Sequence, residues 1–267
     1  MAENGQKPEA LKAAVAVVLT FVAGYVDAVG WLSLDRVFTA QMSGNFVLLA
    51  VHIVAGEKDR VLLQADAICA FFLGLVITGS IIEIGMRRRM QRIFIVALVV
   101  EFVLLAVFAA GTYQMKPAFS GEEEQAPWWV YALIAVIAFA MGTQNTSLRM
   151  AGILSVFTTH VTGAISGLSQ EIIVCVFALL APRSRKEPKG GFASGALQEK
   201  HGEAVKNIVR STLLLAGFFA GAFAGASAAK AVGVGAAVGA PLALLVVVGL
   251  VDWFVPLTEF PSPVEKE

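Results

Sequence analysis

Six runs of this chain are apolar enough, over about 20 residues each, to cross the hydrocarbon of a bilayer as a helix. They are Ala13–Leu34, Leu62–Gly85, Ile93–Tyr113, Trp128–Leu148, Ile208–Ala229 and Val232–Val255. Backbone N–H and C=O groups in hydrocarbon must be satisfied within the segment, so the expected class is an all-α integral membrane protein. With 57% hydrophobic and 15% charged residues, the chain lacks the polar surface of a soluble domain of its length. Trp31, Trp128, Trp129 and Trp253 fall near span ends, where an indole sits among headgroups. The apolar run after Lys12 is longer than a signal-peptide core and reads as a retained first helix.

Two further segments are less regular. Phe38–Gly56 and Phe157–Ala181 each open with a polar, glycine-containing stretch before turning apolar. Read as re-entrant or broken elements, they leave six full spans; read as full spans, they make eight. Lys and Arg in short loops stay cytoplasmic. With a cytoplasmic N-terminus, six spans put 15 of the 20 basic residues inside and 5 outside, beside the acidic Glu122–Glu124. Eight spans reduce the split to 13 against 7 and move Arg87, Arg88, Arg89 and Arg92 outside. The charge pattern therefore favours six spans.

The two irregular segments also belong to an internal repeat. Gly24-Tyr-Val-Asp27 is followed by Phe38-Thr-Ala-Gln-Met-Ser-Gly44-Asn45, and Gly142-Thr-Gln-Asn145 by Phe157-Thr-Thr-His-Val-Thr-Gly163-Ala164. The next spans match as well, Phe71-Phe72-x-Gly74 against Phe218-Phe219-x-Gly221. Three matches in the same order imply two copies of one unit. With three full spans per copy the second is inverted relative to the first, the plan on which many transporters build a midplane site. Eight full spans would instead make the copies parallel. The expected organisation is a cytoplasmic tail over 1–12, a first repeat over 13–115 and an external acidic loop over 116–127. A second repeat over 128–257 carries a polar, linker-like cytoplasmic loop at 182–207, and a tail covers 258–267.

The motifs GYVDAVGWLSL with FTAQMSGN, and MGTQNTSLR with FTTHVTG, resemble those of the YoaK-like family of uncharacterised bacterial multi-pass membrane proteins. The resemblance covers about residues 13–255. It implies a bacterial inner-membrane location and no particular chemistry.

Polar groups inside spans are costly and mark candidate function. Asp27, midway along the first span, reads as a cation or proton site or as a packing hydrogen bond; Asn145 holds the matching place in the second copy. Gln41, Ser43, Gly44 and Asn45, with Thr159, His160, Thr162 and Gly163, form the paired motif. A helix starting just after Gly44 or Gly163 would aim unpaired N–H groups at a ligand, with Ser43 and Thr162 as alternative caps. His160 titrates near neutrality, although a lone histidine is more often a packing residue. Gln144 completes the second motif, and Glu101 lies mid-span with no evident partner. Gly217, Gly221 and Gly225 make a smooth helix face for close packing within the chain or, as a homo-oligomer, between chains.

Function is bounded from several sides. A formal net charge of 0 gives no field for nucleic acid, leaving the lipid bilayer and a small solute or ion as partners. Cys69 and Cys175 lie in apolar runs, and three histidines do not make a metal cluster, so no cofactor or metal is expected. No nucleophile–base pair suggests an enzyme. The leading expectation is a transporter or permease for a small polar or anionic solute, with its site at the repeat interface. A channel-like pore and an accessory or regulatory membrane protein are the alternatives.

Overall fold

The computed structural model describes residues 3–90, 92–114, 126–150, 161–180 and 192–257. Among these the chain is all-helical: α1 (Glu3–Ser33), α2 (Met42–Ala55), α3 (Lys58–Arg87), α4 (Ile93–Gln114), α5 (Trp128–Met150), α6 (Val161–Leu180), α7 (Phe192–Val232), α8 (Val234–Ala237) and α9 (Gly239–Phe254). Six segments among the described residues meet the length and hydropathy of a membrane span: Glu9–Ser33, Lys58–Arg87, Ile93–Thr112, Trp128–Arg149, Gly202–Val232 and Val234–Phe254. The two irregular segments become the apolar helices α2, of 14 residues, and α6, of 20. At 14 residues, α2 is about 21 Å long, too short to cross the roughly 30 Å of hydrocarbon.

Two boundaries differ most from the sequence reading. Helix α1 begins at Glu3, so most of the N-terminal tail continues the first span as helix. Helix α7 begins at Phe192, inside the stretch read as a linker. There Ala196-Leu-Gln-Glu-Lys200 is made of good helix formers, and a helix already nucleated in the adjoining span extends through them at little cost. The acidic loop around Glu122–Glu124 lies outside the described residues.

The chain divides into two compact units, residues 1–159 with 217–267, and residues 160–216. The second holds α6 and the N-terminal part of α7, where Asn207 Nδ2 donates to Glu171 Oε1 at 2.9 Å. In the first unit α1 and α5 are the central helices. Burial reaches 67% in α1 and 72% in α5, against 33% in α3 and 39% in α4. The outward faces of α3 and α4 carry the exposed apolar groups Phe72, Val76, Val99 and Val103, as a lipid-facing surface would.

Glycines set the closest crossings. A Cβ on Gly24 of α1 would collide with Phe218 O and stand 3.2 Å from Ala222 N of α7. One on Gly142 of α5 would collide with Phe71 O and stand 3.1 Å from Leu75 N of α3. The opposing glycines behave alike: Gly221 abuts Phe21 O, and Gly74 abuts Phe139 O. Gly217 and Gly225 press on Val17 and Tyr25. The Gly217, Gly221, Gly225 face is therefore filled by α1 of the same chain, the intrachain one of its two readings, and is not left open for a second copy. Tyr25 fastens the other side of α1, donating to Ala237 O of α8 at 2.8 Å.

Candidate functional site

The first polar motif is a clasp between α1 and the start of α2. Asp27 is 4% exposed, with 24 helical residues before it and 6 after, so it lies toward the C-terminal end of α1 and not at mid-span. Its Oδ1 accepts from Thr39 N at 2.7 Å, Ala40 N at 2.8 Å and Thr39 Oγ1 at 3.3 Å. Asn45 answers from α2: Oδ1 accepts from Phe38 N at 2.9 Å, and Nδ2 donates to Phe38 O at 2.6 Å. The buried backbone of residues 38–40 is thereby paired by side chains, as a non-helical segment in this setting requires.

The neighbouring motif residues serve the same clasp. Trp31 and Phe38 stack with ring centroids 4.3 Å apart. A Cβ on Gly44 would lie 2.8 Å from the Phe38 ring, and one on Gly30 would collide with Thr39 Cγ2. Gly44→Ala pushes Phe38 off Trp31 and costs about 1–3 kcal/mol, the usual penalty for overpacking, readable as earlier thermal unfolding in detergent.

Helix α2 starts at Met42, ahead of Gly44, with Gln41 at the cap position and no side-chain cap bond. Gly44 N and Asn45 N donate to Gln41 O at 3.0 and 3.4 Å. Ser43 is exposed. The expectation of free N–H groups after Gly44, capped by Ser43 or aimed at a ligand, is corrected accordingly: Asp27, on another helix, holds the segment that precedes α2. In the second copy Val161, Thr162 and Gly163 are already helical, and Thr162 and Gly163 are exposed. Thr159 and His160 lie outside the described residues.

The second cluster is different in kind. Gln144 is fully buried; its Nε2 donates to Leu19 O of α1 at 3.2 Å, while Oε1 has no partner. Asn145, 3% exposed, has an unpartnered Oδ1. Beside them Thr78 donates to Thr143 Oγ1 at 2.9 Å, and Thr146 donates to Leu75 O at 3.3 Å. Glu101 of α4 is fully buried, and neither carboxylate oxygen has a partner among the described residues.

Registers of the antiparallel helices bring these groups to one level. Gly111 of α4 faces Leu133 of α5, where a Cβ would meet Leu133 Cδ2 at 2.7 Å. Glu101, ten residues before Gly111, is therefore level with Thr143, ten residues after Leu133. By depth along the helices Thr78, Glu101, Thr143, Gln144 and Asn145 thus form one polar layer, with Thr143 turned to α3 and Gln144 to α1. Its unsatisfied atoms are all oxygens, suited to a proton, a cation or a hydrogen-bond donor.

Sequence reasoning singled out Glu101, Gln144 and Asn145 but not Thr78 or Thr143. Thr143 lies inside the Gly142-Thr-Gln-Asn145 motif, and an intramembrane threonine aligned with it on a neighbouring span was the available signal. Gln64, Asp66 and Asp252 were also missed. Asp252 Oδ1 accepts from Leu257 N at 2.7 Å and closes the end of α9. Among the described residues no three His, Cys, Asp or Glu side chains group to hold a metal ion.

Comparison with known proteins agrees with this membrane architecture. A family model described as "Protein of unknown function (DUF1275)" matches residues 15–251. The UPF0700 transmembrane protein YoaK of Bacillus subtilis (strain 168) is 31% identical over 155 residues, 58% of this chain and 64% of that protein. The chain thus spans just under two thirds of the length of that curated relative. No solved structure matches. With the family model running from the first spanning helix into the last, the chain belongs to the DUF1275 family of proteins of unknown function, as a multi-helix membrane protein.

Proposed function

We propose that this protein is a transporter of a small polar solute, built from two inverted repeats, with its site in the buried layer of Glu101, Gln144 and Asn145. The observation that carries this reading is the layer itself. Four buried oxygens without partners in one stratum of a helix bundle are expensive if the bundle is only a scaffold. They are accounted for if that stratum receives a ligand. Because at least three of the four are acceptors in either protonation state of Glu101, the layer favours a solute that brings donors, such as a small ammonium or amide compound, over an anionic one.

The repeat has support beyond residue identities. Gly24 meets Phe218 O and Ala222 N, whereas Gly142 meets Phe71 O and Leu75 N. Gly24 matches Gly142 at an offset of 118, and Phe71 and Leu75 match Phe218 and Ala222 at 147. The same contact is therefore made twice with the copies exchanged, as an approximate two-fold axis requires. In this reading the N-terminus and Arg89 face the cytoplasm, and Trp128 faces outward, in a bacterial inner membrane.

Flux into proteoliposomes tests the function. Methylamine, ethanolamine and urea are the first solutes to assay, and Gln144→Leu is expected to lower uptake of the transported one at least tenfold while the protein still inserts. Flux of all three no faster than into protein-free liposomes would set this reading aside in favour of an accessory role.

A further inference from the structure

We propose that Glu101 is an exchangeable proton site in the membrane core, alternating between a carboxylic acid and a carboxylate met by a donor or cation in the polar layer. The setting is unusual for a carboxyl group. Glu101 lies in the middle of the buried stripe of α4, with Phe94 and Leu98 on one side and Leu105 and Phe108 on the other. Both oxygens are buried without a hydrogen-bond partner. An ionised carboxylate in such a place, with nothing to meet its charge, is far costlier than the neutral acid.

The helices packed against α4 bring no charge to this level. Helix α8 has no titratable group. Arg92, just before α4, donates to Trp253 O of α9 at 2.6 Å and stacks 4.3 Å over its ring, which puts Leu244 about level with Glu101. The one acid of α9, Asp252, is eight residues away and is engaged by Leu257 N. On α5, Tyr131 and Arg149 stand twelve and six residues from Thr143, toward opposite ends. On α3, Thr78 marks the level through its bond to Thr143. Lys58, Asp59, Arg60, Asp66 and Cys69 lie nine or more residues to one side of it. To the other side Glu83 pairs with Arg87 at 2.7 Å.

At this depth on α5 stand Gln144 and Asn145, whose unpartnered Oε1 and Oδ1 are acceptors that can hold a donor but cannot themselves satisfy a carboxylate. Release breaks the Glu101 O–H bond, passes the proton to water and leaves the electron pair on oxygen. The resulting anion completes a set of acceptors fit for an ammonium or other cation. Proton release and binding of a positively charged solute are thereby mutually favourable.

Infrared titration of the full chain in lipid films tests this directly. The expected result is a protonated-carboxyl C=O band that shifts in D2O, vanishes as pH rises, is missing in Glu101→Gln and persists in Asp66→Asn and Asp252→Asn. On the unmodified chain, N,N′-dicyclohexylcarbodiimide should add to the protonated carboxyl of Glu101, the O–H adding across the N=C=N group with nothing leaving. The adduct is placed by peptide mass, and its yield should fall about tenfold per pH unit once the group ionises. A band that persists at every pH the folded protein tolerates and does not shift in D2O would mean a locked structural proton and overturn the proposal. Coincident spectra of the unmodified protein and Glu101→Gln, or adducts only at other carboxyls, would overturn it too. The proposal builds on the polar layer assigned above as the transport site, but both measurements read the proton whether or not any solute moves. Failure here leaves the transport reading standing, and absence of flux leaves the proton site standing.

Discussion

Asp27→Ala is expected to unfold the connection between α1 and α2. The substitution removes the acceptor that Thr39 N and Ala40 N share. Two buried donors left unpaired cost about 1–3 kcal/mol each, so a loss of about 2–6 kcal/mol is expected. Asp27→Asn keeps an acceptor oxygen at the same place but loses the charge assistance, and should cost about 1–2 kcal/mol. Thermal unfolding in detergent, followed by size-exclusion of the heated samples, should rank unmodified protein, Asp27→Asn and Asp27→Ala in that order. The ranking separates two meanings of a buried aspartate. If Asp27→Ala keeps the stability of the unmodified protein and loses only solute flux, Asp27 is an ion ligand and the clasp is incidental. Loss of folded protein, graded by acceptor strength, makes it a structural bond that happens to lie in the membrane.

A matched pair of effects is expected at Gly24 and Gly142. Gly24→Val drives a side chain into Phe218 O, and Gly142→Val drives one into Phe71 O. In both cases the obstacle is backbone, which cannot rotate away as a side-chain tip can, so the helices must separate. The cost should reach or exceed the roughly 3 kcal/mol upper range of ordinary overpacking. Similar losses at the two positions are what the exchanged contact requires. Gly249 of α9 is the control, because nothing lies within 4 Å of a Cβ placed there. Gly249→Ala should be neutral or stabilise the helix by up to about 1 kcal/mol. A severe defect at Gly24 beside a mild one at Gly142 would break the equivalence of the two crossings.

The spans were legible because hydrocarbon imposes one length and one composition. Trp128–Leu148 was read from residues, and the spanning part of α5 is Trp128–Arg149. Helices α2 and α6 were legible for the same reason, as apolar runs broken by a polar start. Partners were harder to read. That Asp27 must be satisfied follows from burial cost, but its partners lie twelve and thirteen residues on, past a turn in which Asp35 and Arg36 adopt positive φ. Only the folded turn shows that the acceptor meets the backbone of Thr39 and Ala40. Ser43 misled because it is a good cap residue at a helix start that needs no local cap once Asp27 and Asn45 hold the entering chain. Glu101 was the opposite case: its sequence shows a carboxyl with nothing opposite, and so does its surrounding helix packing.

Sidedness is the most direct test of the inverted architecture on which the proposed site depends. Single cysteines at Glu9, Arg89 and Trp128, in a chain lacking Cys69 and Cys175, can be labelled with a membrane-impermeant thiol reagent before and after permeabilising cells. Six spans with α2 turning back predict that positions 9 and 89 share one side, protected in intact cells, and that position 128 labels from outside. If positions 9 and 128 instead share a side opposite position 89, α2 crosses the membrane and the copies run parallel. The midplane site built on their inversion would then be contradicted.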